Sequence, residues 1–227
     1  MIIAIDGPAA SGKSTTARLV AERLGFTYLD TGAMYRAVTL AVIRNNIPLN
    51  NEESISALLD SLELRFLQQA GEQHLIMNGR DVSSEIRSGR VTEKVSAVSA
   101  LPVVRQAMVK IQREIGSEND CVVEGRDIGT VVFPEAEYKF FIKADYETRA
   151  RRRQKDLMNL GEYPSLDILV DDLKKRDQWD SSREFSPLKK AENAIELDTT
   201  NRTIEEQVNF VVNLVEKSNK GKQTNHE

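Results

Sequence analysis

The strongest constraint on this chain is a nine-residue run, GPAASGKST, from Gly7 to Thr15. It lies directly after the apolar MIIAI and directly before a helical pattern. Gly7, Gly12, Lys13 and Ser14 fit G-x-x-x-x-G-K-[ST]. Ile2, Ile3 and Ile5 with Ala4 read as a short strand buried on both faces. Beyond the loop, Ala17, Val20, Ala21 and Leu24 recur at helical spacing with Arg18, Glu22 and Arg23 opposite, until Gly25 supplies a stop. Strand, glycine loop and helix stand in the order an anion cradle needs. Glycines let the backbone turn several N–H groups inward, and the positive end of the helix dipole adds to them. A polyphosphate fits that concavity. The candidate contacts are Gly7, Pro8, Ala9, Ala10, Ser11, Gly12, Lys13, Ser14 and Thr15. Lys13 brings a point charge to the outer phosphates, and the Ser14 hydroxyl is placed to ligate Mg2+ held mostly by phosphate oxygens and water. The bland alternative is an ordinary glycine turn.

The rest of the chain is long enough to build a core around this loop. Its 227 residues suit one domain with a smaller inserted part, and 40% hydrophobic with 29% charged residues excludes a disordered chain. A net charge of −4 gives no general attraction to nucleic acid or to an anionic membrane. Cys121 is the single cysteine, so no intramolecular disulfide can form. With no apolar stretch near the ~18 residues a membrane span needs, a cytoplasmic chain is expected.

Further strands are expected at Thr27–Leu29, Cys121–Glu124, Tyr138–Ile142 and Ala194–Leu197. Five strands alternating with helices predict an α/β fold, a parallel sheet covered on both faces. Helices are expected at Leu101–Ile115 and Thr203–Lys217, with residues 218–227 a frayed tail. One stretch breaks the alternation. Around Leu62, Leu64 and Phe66 the apolar period drops to two, and Asn78-Gly79 separates two short runs, which predicts a small antiparallel insertion.

Three more clusters carry charge where a ligand belongs. In YLDTGAMYR a strand ends and a helix begins, bringing Thr31, Tyr35 and Arg36 to the edge where open α/β sheets bind ligands, although capping by Asp30 or Thr31 explains the segment as well. In EGRDIG, Glu124, Arg126 and Asp127 follow a strand. The third is basic. Arg149, Arg152 and Arg153 share one helical face, and so do Arg176, Asp180 and Arg183. Such faces are commonly solvated ion-pair ladders or nucleic-acid surfaces. On an acidic chain with a phosphate loop, they point to polyphosphate contact.

In order and spacing, GPAASGKST, LDTGAMYR, SALPVVRQAM, EGRDIGTVVFP, RARRR and RDQWDSSREFSPL resemble the bacterial cytidylate kinases, from about Ile2 to about Val215. The resemblance implies a P-loop kinase fold: a single domain over 1–217, with a monophosphate-binding insertion at 62–100 and an arginine-rich lid at about 147–165. It implies ATP-dependent phosphorylation of CMP and dCMP, with Mg2+, by a monomer with no nucleic-acid or membrane partner. By the same resemblance, Ser96 and Arg105 contact cytosine, and Thr31 and Asp127 lie close to the base. Arg36 and Arg126 lie near the acceptor phosphate, and Asp180 with Arg183 holds the sugar, with Tyr35 and Arg176 beside them. The implied catalytic groups are Lys13, Arg126, Arg149, Arg153 and Arg183. The Thr31 position commonly carries Ser in the family, and the hydroxyl is kept. A P-loop kinase for UMP or shikimate, or a P-loop switch using the arginines on a partner, remains a competing reading.

Overall fold

The computed structural model describes residues 1–69, 71–159 and 161–223. Along the chain run β1 (Ile2–Asp6), α1 (Lys13–Leu24), β2 (Thr27–Asp30), α2 (Thr31–Arg44) and α3 (Glu52–Asp60). The middle holds β3 (Leu64–Gln69), β4 (Glu72–Met77), β5 (Arg80–Asp81), α4 (Gly89–Ala100) and α5 (Pro102–Glu118). Then come β6 (Cys121–Gly125), β7 (Tyr138–Lys143), α6 (Tyr146–Met158), α7 (Leu166–Ser182), β8 (Ile195–Asp198) and α8 (Ile204–Gln223). The chain divides into two compact units, one of Met1–Leu29 with Gly116–Glu227, the other of Asp30–Ile115.

The first unit is built on the expected five-stranded parallel sheet, in the order β2-β6-β1-β7-β8. Its strands are apolar on both faces because helices cover both faces. Ile3, Ile5, Val122, Phe140, Ile142 and Leu197 from the sheet pack with Ala17, Val20 and Ala21 of α1 and Val208, Val211, Val212 and Val215 of α8. Full burial of such a side chain is worth about 1.5–3 kcal/mol, so this cluster fixes the frame on which the loops stand. The strand order reverses at β1: β6 pairs on one side of it and β7 on the other. A crevice at the carboxyl end of such a strand is where open α/β sheets bind ligands. The loop Gly7–Gly12 leaves β1 there.

The second unit, Asp30–Ile115, contains the expected antiparallel sheet, in the order β3-β4-β5. Asn78 and Gly79, both at positive φ, join β4 to β5. Asp30 caps α2, its carboxylate accepting from the Ala33 N–H at 2.8 Å. This compact unit is wider than the 62–100 insertion. It also takes in α2, α3 and the part of α5 up to Ile115. Helix α4 was missed by the sequence reading, although Val91, Val95 and Val98 form its buried stripe.

One expectation is corrected at the carboxyl end. The final helix continues through residues 218–223, where a frayed tail was expected from 218, because each added residue closes one more intrahelical hydrogen bond on a helix already anchored by its valines. Residues 224–227 of that tail lie outside the described residues.

Candidate active site

At the carboxyl end of β1 the backbone itself forms the cradle. A Cβ on Gly7 would sit 2.1 Å from the Ile142 carbonyl oxygen of the adjacent strand, so only glycine lets the loop leave the sheet here. Gly12, at φ 91°, turns the chain into α1, and its carbonyl accepts the Thr16 N–H at 3.0 Å. Ala10 is left-handed at φ 58°, a conformation that costs an alanine about 1 kcal/mol and needs support from outside the loop. The Ser11 Oγ is buried with no hydrogen-bond partner. A buried hydroxyl in a cradle of N–H groups is a place for an anionic oxygen.

Lys13 is also buried, its Nζ 3.5 Å from the Pro8 carbonyl and 3.8 Å from Glu124 Oε2. Ser14 Oγ donates to the same Glu124 oxygen at 2.7 Å, and the Tyr28 hydroxyl donates to the other. Glu124 comes from β6, the strand beside β1. A serine oxygen against a buried carboxylate is a hard donor set and fits a magnesium ion brought in with phosphates. Among the described residues no group of three or more His, Cys, Asp or Glu side chains could hold a metal by itself.

The segment EGRDIG leaves the sheet beside the loop, since Gly125 pairs in register with Asp6. The Asp6 carboxylate accepts the Ile128 and Gly129 N–H groups, both at 2.8 Å, and so holds the π-helical turn Ile128–Val132. Burial pushes its pKa up to about 7 despite those two hydrogen bonds. The signal for Asp6 was present in the sequence: a carboxylate at the end of a buried strand must have a partner. Asp127 is buried in the same turn.

Arg126 projects from this segment to Asp180 of α7, Nε to Oδ2 at 3.0 Å. Arg183 reaches the other oxygen of that carboxylate at 2.5 Å. Burial alone would raise the Asp180 pKa. The guanidinium groups of Arg126, Arg183 and Arg176 outweigh it and hold the carboxyl below its ordinary value. Three guanidinium groups gather around this one aspartate, an arrangement suited to an anionic ligand.

The arginine run of α6 behaves differently from a row of phosphate ligands. Arg149 is buried, its Nε donating to the Ala9 carbonyl at 2.7 Å and its two terminal nitrogens to Asp177 of α7 at 2.6 and 2.8 Å. Arg152 donates to the Ser11 carbonyl at 3.1 Å and to Thr199 through both its side chain and its carbonyl. Arg153 is half-buried and makes no hydrogen bond or ion pair among the described residues. The roles of Arg152, Asp177 and Thr199 were not legible in the sequence, because they depend on chain segments that only folding brings together.

Within the unit Asp30–Ile115, a second group gathers from three helices. Tyr35 and Arg36 stand on α2, Ser96 on α4 and Arg105 on α5. The Arg105 guanidinium lies 5.3 Å from the centre of the Tyr35 ring and 3.5 Å from the Ser99 carbonyl. Arg36 pairs with Asp30 at 3.3 Å, while its Nε is buried without a partner. Thr31 is buried at the start of α2, and Ser96 is half-buried, its carbonyl accepting from the Ser99 hydroxyl at 3.2 Å.

A family model described as Cytidylate kinase matches residues 3–217. The cytidylate kinase of Lactobacillus johnsonii is 48% identical over 220 residues, covering 97% of this chain and 96% of that protein. The cytidylate kinase of Carboxydothermus hydrogenoformans is likewise 48% identical over 219 residues, covering 96% of this chain and 99% of that protein. Among solved structures, an uncharacterized protein from Eubacterium ventriosum superimposes with a TM-score of 0.50 at 12% identity, over 95% of this chain and 98% of its own. That likeness extends to the fold alone.

Proposed function

We infer the chemistry of this chain from the family it belongs to, the cytidylate kinases: it transfers the γ-phosphoryl group of ATP to CMP, yielding ADP and CDP. The reading extends to dCMP as a second acceptor and to the cytoplasm as the compartment. No helix among the described residues is long and apolar enough to cross a membrane.

The loop Gly7–Ser14 takes the phosphates of ATP on its N–H groups, with Ser11 Oγ filling its vacant hydrogen bond on a phosphate oxygen. Lys13 follows the outer phosphates and stabilises charge as it moves toward the leaving ADP. Magnesium, when bound, neutralises the phosphate oxygens; Ser14 with Glu124 behind it would hold it. For the acceptor, Arg36 and Arg126 orient the monophosphate, and Asp180 with Arg176 and Arg183 positions the sugar side. Thr31, Tyr35, Ser96, Arg105 and Asp127 read the nucleoside. Arg153, which carries no ion pair among the described residues, neutralises the transferred group. No side-chain base is required, because the acceptor phosphate is already ionised near neutral pH. What the protein supplies is alignment and charge.

The observation that carries this reading is the Lys13–Ser14–Glu124 cluster on the phosphate loop, in the same unit as the Arg126–Asp180–Arg183 group. The test is a coupled assay of ADP release with ATP and each of CMP, dCMP, UMP and AMP. Turnover with CMP and dCMP at a kcat/KM at least tenfold above UMP supports it. Equal turnover with all four, or none with CMP, rules it out.

A further inference from the structure

Two of the arginines that look like phosphate ligands in the sequence are hydrogen-bonded to the phosphate loop itself. Arg149 Nε donates to the Ala9 carbonyl at 2.7 Å, and Arg152 Nη1 donates to the Ser11 carbonyl at 3.1 Å. The residue between those carbonyls is Ala10, the left-handed alanine at φ 58°. An alanine prefers negative φ; the Ala9 carbonyl lies in the peptide plane that enters Ala10 and the Ser11 carbonyl in the plane that leaves Ser11, so the Ala10–Ser11 pair is held from outside at both ends.

We propose that Arg149 and Arg152 are positioning residues that hold the phosphate loop in its anion-binding shape by fixing the Ala9 and Ser11 carbonyls on either side of Ala10. This rests on the reading that the loop binds the phosphates of ATP. A carbonyl drawn outward by a guanidinium turns the opposite edge of its peptide chain, with its N–H groups, inward toward the cradle. Each clamp is anchored. Asp177 takes both terminal nitrogens of Arg149, while Arg152 is bound to Thr199 through the threonine hydroxyl at 3.1 Å and carbonyl at 2.8 Å. Thr199 Oγ1 itself lies 2.8 Å from the Ser11 carbonyl and 3.1 Å from the Lys143 carbonyl. Apolar contacts act in the same direction, because Ala9 belongs to a buried cluster with Ala150 and Leu157 of α6 and Leu169 and Leu173 of α7, and Ala10 packs against it. The loop is therefore shaped by α6 and by the turn after β8, and not by its glycines alone.

The experiment measures binding of inorganic tripolyphosphate and ATP by calorimetry, KM for ATP and for CMP, and melting temperature. The proteins are the parent, Arg152→Ala, Arg149→Lys, Ala10→Gly/Arg152→Ala and Lys13→Ala. Expected is a loss of about tenfold in tripolyphosphate and ATP affinity for Arg152→Ala, with KM for CMP within twofold of the parent. Glycine at position 10 takes a left-handed conformation without help, so the double variant should recover threefold or more of that loss. Arg149→Lys, which keeps the charge but loses the fork to Asp177, should also weaken both ligands severalfold. Failure of Ala10→Gly to recover any affinity would make Arg152 a direct phosphate ligand and overturn the proposal. Unchanged affinity in Arg152→Ala and Arg149→Lys beside a clear loss in Lys13→Ala would overturn the proposal alone. If Lys13→Ala also bound like the parent, the reading of the loop would fall with it.

Discussion

In the proposed reaction the phosphate loop and the unit Asp30–Ile115 would recognise their ligands in opposite ways. The loop offers mostly backbone, a contiguous run from Gly7 to Lys13 in which every residue but Pro8 carries an N–H donor. The other unit offers side chains spread over α2, α4 and α5, of which Tyr35 and Arg105 are seventy residues apart in the sequence yet within 5.3 Å of one another. A backbone cradle binds any polyphosphate because every nucleotide carries the same phosphates. A group of side chains from several helices can tell one base from another, since its donors and acceptors differ with each residue. Loss of the loop should therefore abolish transfer to every acceptor, whereas changes in the helical unit should alter the choice of acceptor.

The comparison is tested hardest at Lys13. Lys13→Ala should lower kcat by about a hundredfold or more for CMP and dCMP alike, as expected for a charge acting on the transferred group. Because it also removes the ammonium 3.8 Å from the buried Glu124 carboxylate, the melting temperature should fall by a few degrees. Steady-state kinetics with both acceptors checks this. A loss confined to one acceptor would erase the distinction between the regions.

Asp180 and Arg183 sharpen it, because they lie outside the helical unit but are assigned to the acceptor. Arg183→Ala should raise KM for CMP by roughly ten- to a hundredfold while leaving KM for ATP within threefold. Asp180→Ala removes the carboxylate that both Arg126 and Arg183 bind and should in addition lower the melting temperature by several degrees. If KM rises for ATP instead, the cluster belongs with the phosphate loop.

Arg105→Ala should cost about tenfold in kcat/KM for CMP and narrow the ratio of CMP to UMP turnover, with KM for ATP unchanged. The measurement is kcat/KM for both acceptors on variant and parent. An unchanged ratio would remove Arg105 from base recognition.

The smallest effect concerns pH on the loop side. Asp6 has its pKa raised from 3.8 to about 7, so between those values the folded chain binds more protons than the unfolded one. Stability from this group is then present at acid pH and falls as pH rises from about 4 to about 7. Asp6→Asn does not titrate. The melting temperature of the parent minus that of Asp6→Asn should decline by on the order of 5 °C across that window and stay flat above it. A difference that grows with pH would reverse the sign of the shift.

The same contrast governs what could be read before folding. Strand, glycine loop and helix at the amino end are adjacent in sequence, and each of the five apolar runs of the sheet is continuous in itself, so local periodicity and turn chemistry sufficed. The antiparallel piece was legible from its period of two and from Asn78-Gly79. Helix α4 was overlooked because its valine stripe is short and its remaining residues are polar. In RARRR the sequence shows four cations but not their directions. The chain turns Arg149 and Arg152 onto the carbonyls of the loop and leaves Arg153 without a bonded partner among the described residues.

By itself the sequence determined the sheet, the phosphate loop and the family. Each of these is encoded by contiguous residues whose backbone conformation follows from local chemistry. Only the tertiary structure decided that Asp6 holds the turn Ile128–Val132, that Glu124 stands behind Ser14, that Asp180 gathers Arg126 and Arg183, and that α6 braces the loop around Ala10. The physical reason is that a buried charge must find its partner wherever packing brings one within about 3 Å, and separation along the chain does not fix that distance.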